Sequence, residues 1–261
     1  MSVAKLPRIV LQGQHIVGAD FGHRRLGQFS SAGCHFESCT FDRLRCESAA
    51  FGAGMTMSSY TDCVFDGAQL RPVPGGYYRF ERCTFTGATI RDWLCFAVEV
   101  VDCTFDGARI TKAIFNGTPW PEDAGPLERT RNAFDGNDFS RAVLRDIGFR
   151  SGIDLARQRL PLSGDFLYVS DGAAALAHAH LEVIGWSQLA ERQLALDYLG
   201  ALRRLIAAGQ QQLFLREADF PTGKVTTRVF QLLREASLGP RTAPGLGDRR
   251  IPTARRSTRL A

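Results

Sequence analysis

The sequence predicts a mostly β protein, a four-sided β-helix over residues 4–155, followed by an α-helical region over residues 165–238. Three observations carry this reading. Large side chains recur every five positions, one octet returns nearly unchanged at intervals of twenty residues, and the rhythm changes to helical spacing after Leu155. Composition points the same way. The chain uses 18 Phe against 3 Trp and 5 Tyr, and so biased a choice of large residue marks one structural slot that repeats.

The large slot is read first at Leu6, Leu11, Ile16, Phe21 and Leu26, then at Phe36, Phe41, Cys46 and Phe51, with Ser31 the one polar occupant. It resumes at Phe65, Leu70, Phe80, Phe85, Ile90, Cys95, Val100, Phe105, Ile110, Phe115 and Trp120, Gly75 being the exception. It closes at Phe134, Phe139, Leu144 and Phe149. Two residues before each lies a smaller slot, filled by residues such as Ala19, Cys34, Cys39, Ala49, Cys63, Ala68, Cys83, Ala88, Cys103 and Ala108. A helix repeats its face every ~3.6 residues and a strand every ~2. A period of five needs a chain that turns a corner after each short edge, and four edges close a square coil of roughly 20 residues.

That longer period is explicit. Cys63-Val64-Phe65-Asp66-Gly67-Ala68-Gln69-Leu70 returns from Cys83 to Ile90 and again from Cys103 to Ile110. The unit resembles the pentapeptide-repeat family, whose pattern is a small residue, then Asp, Asn or Thr, then Leu or Phe, then two mostly polar residues. Ala19-Asp20-Phe21-Gly22-His23, Cys39-Thr40-Phe41-Asp42-Arg43, Cys103-Thr104-Phe105-Asp106-Gly107 and Asn137-Asp138-Phe139-Ser140-Arg141 carry the likeness. It covers a little over half the chain and implies a right-handed quadrilateral β-helix, a pentapeptide-repeat solenoid. Arg24 and Phe29 depart from the small slot, and Thr56 and Asp154 from the large one, so the coil is expected to end near Asp154.

In such a coil both slots face inward and successive turns stack at about 4.8 Å, so about seven turns make a rod of roughly 35 Å. The expected core is therefore Phe21, Phe36, Phe41, Phe51, Phe65, Phe80, Phe85, Ile90, Phe105, Ile110, Phe115, Phe134, Phe139, Leu144 and Phe149, with Cys34, Cys39, Cys63, Cys83 and Cys103. Gly67, Gly87, Gly107, Gly117 and Gly136 fall at the fifth position, where the chain bends and a missing Cβ is useful. Loops are expected near 55–62, 72–77 and 118–131, where the pattern breaks. Loops on a rigid scaffold commonly carry function, so Trp120, Glu122, Asp123, Glu128 and Arg129 of the third loop are the candidate partner contacts.

Beyond Leu155, Asp171 can cap a helix running to Ile184, Ser187 another ending at Gly209, and Thr222 a last one with Val225, Val229, Leu232, Leu233 and Ala236 on one face. A solenoid end exposes strand edges and apolar bore, so these helices are expected to cap it; forming a homodimer is the alternative. Residues 239–261 are Arg-rich and poor in large apolar side chains, which predicts a disordered tail with a weak capacity for nucleic acid or membrane surfaces.

The formal net charge of +5 is unevenly spread, with about −4 over residues 31–155 and about +6 after them. No apolar run reaches membrane-spanning length and the N-terminus lacks the apolar stretch of a secretory signal, so the expected location is the cytoplasm, with the 7 cysteines reduced. Nucleophile elbows, phosphate loops and metal-ligand spacings are all missing. No catalytic residue, cofactor, metal or small-molecule substrate is therefore expected. The function expected is a non-enzymatic surface for a protein partner. The family resemblance offers two alternatives: a DNA mimic that binds and protects a type II topoisomerase such as DNA gyrase, and an effector-like or membrane-associated repeat protein.

Overall fold

The computed structural model describes residues 6–161 and 163–237. From Arg8 to Leu160 the chain winds as a parallel β-solenoid. One sheet runs along it through Arg8–Gln12, Gln28–Ala32, Arg45–Ala50, Gln69–Pro72, Thr89–Cys95, Arg109–Asn116 and Val143–Arg150. A second joins His15–Val17, His35–Glu37, Ser58–Thr61, Tyr78–Glu81, Val98–Val101 and Phe134–Asp135. A ladder of single bridges, Asp20–Thr40–Val64–Thr84–Thr104–Asp138–Arg159, forms a further side. The longest strands of the first sheet turn a corner within themselves, at Asp92, Lys112 and Asp146, each at a φ of 54° to 57°. The first sheet thus covers two sides, and the section is a quadrilateral.

The five-residue period is a period of corners. Two residues beyond many of the large side chains the backbone is left-handed, as at Arg43 (φ 50°), Asp62 (54°), Gly67 (66°), Arg82 (52°), Gly87 (64°), Asp102 (53°) and Gly107 (63°). An L-residue with a side chain pays roughly 1–2 kcal/mol there. Each corner amide offsets part of this by donating to the next turn, Asp62 to the Glu81 carbonyl at 3.0 Å and Gly87 to that of Asp106 at 2.8 Å. Gly117 is not left-handed; a Cβ there would lie 2.5 Å from the Ser151 carbonyl oxygen, so close packing is what its small size serves.

Inside, Phe21, Phe41, Phe65, Phe85, Phe105 and Phe139 stand in one column. Neighbouring ring centroids are 4.8, 4.6, 4.9, 4.9 and 4.4 Å apart and their planes lie within 9° of parallel. This is the spacing of hydrogen-bonded strands, so the backbone ladder imposes the stacking. Polar and irregular slots are resolved in pairs. Phe29 in a small slot accompanies Ser31 in the large one, Leu44 accompanies Cys46, and Trp93 accompanies Cys95, all buried. Each pair exchanges large for small and keeps the bore filled. Ser31 is also satisfied: its hydroxyl bonds the Phe51 carbonyl at 2.8 Å and the Tyr60 hydroxyl at 2.7 Å.

Four expectations need correction. The break near 55–62 is narrower, because Ser58–Thr61 is a paired strand and Tyr60 a fully buried large-slot residue. Arg45 pairs with Gln69, so this turn holds four residues more than its twenty-residue neighbours, and the register resumes at Tyr60. The segment 118–131 contains a short helix, α1 (Pro121–Leu127), and Trp120 does not enter the bore but is 48% exposed. The coil does not stop at Asp154. That residue caps a 3₁₀ turn, Leu155–Arg157, which buries Leu155 and lets Arg159 add a last rung.

Three helices follow: α2 (Gly172–Ile184), α3 (Leu189–Ala207) and α4 (Lys224–Ser237). Asp171 caps α2 by accepting from the Ala174 amide at 2.9 Å. The fourth correction is that Ser187 does not cap α3; Gln188 holds that position without a side-chain bond, and α4 starts at Lys224. The helices meet the coil through an antiparallel strand pair, Phe166–Val169 with Leu213–Arg216. Alternation divides its faces. Phe166, Tyr168 and Phe214 pack on the coil core, and Leu167, Val169, Leu213 and Leu215 join the helical core. Phe214 lies 6.1 Å from Phe149 and so closes the bore.

The last turn's edge is finished by side-chain amides. Gln210, fully buried, accepts from the Ile153 amide at 3.1 Å and donates to its carbonyl at 2.9 Å, while Gln212 accepts from the Leu155 amide. Asp219 accepts from the Asp146 amide at 2.9 Å. These groups stand in for the strand that is not there, which keeps buried backbone groups paired. The segment 239–261 lies outside the described residues.

Candidate partner-binding corner

Three segments leave the ladder on the same corner: residues 52–57, 73–77 and 118–131. Two glycines hold the first pair together. The Tyr77 amide donates to the Gly52 carbonyl at 2.9 Å; a Cβ on Gly52 would lie 2.1 Å from the Tyr77 carbonyl oxygen, and one on Gly76 2.3 Å from that of Gly52. The backbones therefore touch as only glycine permits.

The third segment is fastened at two points. The Tyr77 hydroxyl donates to Asp123 at 2.7 Å, and this bond to a carboxylate, with burial second, pushes the Tyr77 phenol above its usual range. Arg129 is the other point. Its guanidinium donates to the Ala97 carbonyl and to Asn132, each at 3.0 Å, touches the Met57 sulfur at 3.3 Å, and pairs with Glu99 at 3.3 Å. Burial pulls the Arg129 pKa down while Glu99 pulls it up. Glu99 is shared with Arg79 at 3.0 Å and accepts from the Ala133 amide. Asn132 donates to the carbonyls of Phe96 and Asn116, both at 2.9 Å.

Together these loops enclose a groove of about 440 Å³. Gly52, Ala53, Gly75 and Gly76 of the first two segments line it, together with Trp120, Glu122 and Asp123 of the third and with Phe96. Trp120 packs on Phe96 with centroids 4.5 Å apart and planes at 32°. Of the contact residues expected from sequence, Trp120, Glu122 and Asp123 line the groove. Glu128 is exposed outside its lining, and Arg129 must be reassigned from partner contact to the buried bolt beneath. Phe96, Tyr77 and the glycines were not expected. Their signal is the break in the pattern at Val73-Pro74-Gly75-Gly76, which does not say that two loops twenty residues apart will touch.

The rest of the coil offers little open chemistry. All seven cysteines are buried and free. Their thiols donate to carbonyls, Cys83 to that of Tyr60 at 3.2 Å, and burial raises the pKa of Cys39, Cys46, Cys83 and Cys95. Among the described residues no three His, Cys, Asp or Glu converge as metal ligands. Several carboxylates along the sides are paired with arginines, Asp62 with Arg82 at 2.8 Å, Asp92 with Arg71 at 3.0 Å, Asp135 with Arg157 at 3.1 Å and Asp138 with Arg159 at 3.2 Å, while Glu37 and Asp42 face His15 and His23.

Most sides of the coil share one form: an inward large residue, an inward partner two before it, a corner about two after it that is often left-handed, and a parallel ladder to the next turn. Residues 6–160 form a four-sided parallel β-solenoid built on a five-residue repeat. No protein-family model and no curated protein matches the chain. Among solved structures it is similar to HetL, a pentapeptide repeat protein involved in heterocyst differentiation regulation from the cyanobacterium Nostoc sp. strain PCC 7120. The two are 13% identical over 62% of this chain and 94% of that chain, with a TM-score of 0.25. Among the described residues no helix of the solenoid protein is long and apolar enough to cross a membrane.

Proposed function

We propose that this solenoid is a non-catalytic binding module and that its partner, a protein, is held at the loop corner. One observation carries the reading: three loops from separate turns are bolted together around a groove with an exposed tryptophan in its wall. Exposed large aromatics in concave, otherwise packed surroundings are where binding energy concentrates. The sides of the rod are weaker candidates. Duplex mimicry would need rows of free carboxylates, and here Asp62, Asp92, Asp135 and Asp138 each face an arginine.

The test is quantitative capture from the native host with the full chain and with Trp120→Ala. The expected result is one or more proteins retained by the first and depleted at least tenfold by the second. Equal recovery with both chains would place the binding surface elsewhere.

A further inference from the structure

We propose that the corner groove is an arginine pocket: it receives the guanidinium of an arginine on an extended segment of the partner, laid on Trp120 and paired with Glu122. This rests on the corner being the binding surface. The charge of the groove is the first argument. Among the described residues, the charged ones that line it are Glu122 and Asp123. Asp123 is engaged by the Tyr77 hydroxyl, whereas Glu122 is exposed and has no ion pair or hydrogen bond among the described residues. The nearby cations cannot neutralise it, because Arg129 and Arg79 are both drawn to Glu99 beneath the groove.

Aromatic geometry is the second argument. Phe96 packs against the indole of Trp120 and fixes its tilt, yet nearly half of Trp120 stays in solvent. A cation over an indole face is attracted by its quadrupole, and a planar guanidinium adds stacking and directed donors that an ammonium lacks. An anionic ligand would meet two carboxylates, and an apolar one would bury Glu122 without a partner, which is costly.

The glycine lining is the third. Gly75 has nothing within 4 Å of the place a Cβ would take. A lining of Gly52, Gly75 and Gly76 presents bare backbone, which suits a peptide main chain lying beside the pocket that holds its side chain.

A random dodecapeptide phage library selected on the full-length protein tests this. Enriched peptides are resynthesised and their Kd measured by fluorescence anisotropy for the wild type, Trp120→Leu and Glu122→Gln, with melting temperatures confirming that both variants fold. The expected peptides carry an arginine whose replacement by lysine weakens binding about threefold or more, and both variants weaken it at least tenfold. Peptides that lose binding to Trp120→Leu but lack a cation and ignore Glu122→Gln would overturn the arginine pocket and leave the corner reading standing. Peptides indifferent to both variants, or no corner-dependent peptide at all, would overturn both.

Discussion

Trp93 fills the slot that Ala113 holds in the next turn, and Cys95 beside it fills the one that Phe115 holds there. The bore accepts this because the two exchange volume, and Tyr78 accepts the indole N–H at 3.0 Å. Trp93→Ala should therefore cost about 3–5 kcal/mol, read as a lower urea midpoint, and adding Cys95→Phe should recover part of the loss. A deficit no smaller in the double variant would mean that the slots are independent. The corner glycines differ from one another in a measurable way. Gly75→Ala meets only left-handed strain, roughly 1–2 kcal/mol. Gly76→Ala has the same φ of 85° and also drives a Cβ to 2.3 Å from the Gly52 carbonyl oxygen, so it should be clearly the worse of the two in a thermal melt. Buried thiols set the alkaline limit. Burial raises Cys39, Cys46, Cys83 and Cys95, so the fold holds them protonated. That stabilisation is complete below the ordinary thiol pKa, roughly 8.5, and declines as the unfolded chain ionises above it, by up to about 1.4 kcal/mol per pH unit for each thiol. Urea midpoints should be flat from pH 7 to 8 and fall steadily from 9 to 10.5; a flat profile to 10.5 would contradict it. The inward slots were legible in the sequence because the period of five admits no other reading. The exchanged pairs were not, since a rule about single positions sees Phe29 or Ser31 as an exception when only their sum is constrained.

The end of the coil shows what an element must supply where the repeat stops. A stacked strand satisfies its neighbour's edge at no extra expense, but the last turn has no neighbour. Gln210 and Gln212 take that place with side-chain amides, and Phe214 closes the bore above Phe149. Gln210→Ala should leave the Ile153 amide and carbonyl unpaired in a buried site and cost about 2–3 kcal/mol. Hydrogen exchange should place the lost protection at Ile153 and Leu155, with the amides of Thr89–Cys95 unchanged. Of the three helices, α2 was legible from its Asp171 cap and α3 and α4 from their apolar spacing, as at Val225, Val229 and Leu233, while the starts of α3 and α4 were not. The strand pair between them was not: each strand has four residues, too few for a periodic signal, and their partners lie more than forty positions apart. α1 was hidden for another reason. Prolines and acids at 119–126 read as a turn, and only the bond from Tyr77 to Asp123 and the anchoring by Arg129 give the helix a surface to rest on.

At the scale of the molecule, stability should be graded along the rod, since each turn touches only its neighbours. The central strand Arg109–Asn116 is paired on both sides, whereas Arg8–Gln12 pairs with one neighbour among the described residues, and Val10 and Val17 remain largely exposed. Amide exchange should therefore be fastest in the first turn and approach the global limit near the fifth and sixth; uniform protection would show that the rod unfolds as one unit. The arginines that face Asp62, Asp92, Asp135 and Asp138 interrupt any row of free charge, which predicts that the protein added in excess leaves type II topoisomerase supercoiling unchanged. The overall architecture was legible because it is local rules repeated, but the corner was only half so: Trp120, Glu122 and Asp123 stand out as residues, while their meeting with Phe96 and Gly52 depends on which turns lie side by side. Modularity also has a geometric outcome. The turns that carry the thrice-repeated octet also carry the bolted loops, since Tyr77 beyond the first octet holds Asp123 beyond the third, so their number is fixed, whereas the first turn, Arg8 to Gly27, holds neither the loops nor the glutamine-sealed end. Duplicating the twenty codons of that first turn would lengthen the rod at its far end from the helices by about 4.8 Å and disturb neither, so the coil works as a ruler whose graduations are whole turns.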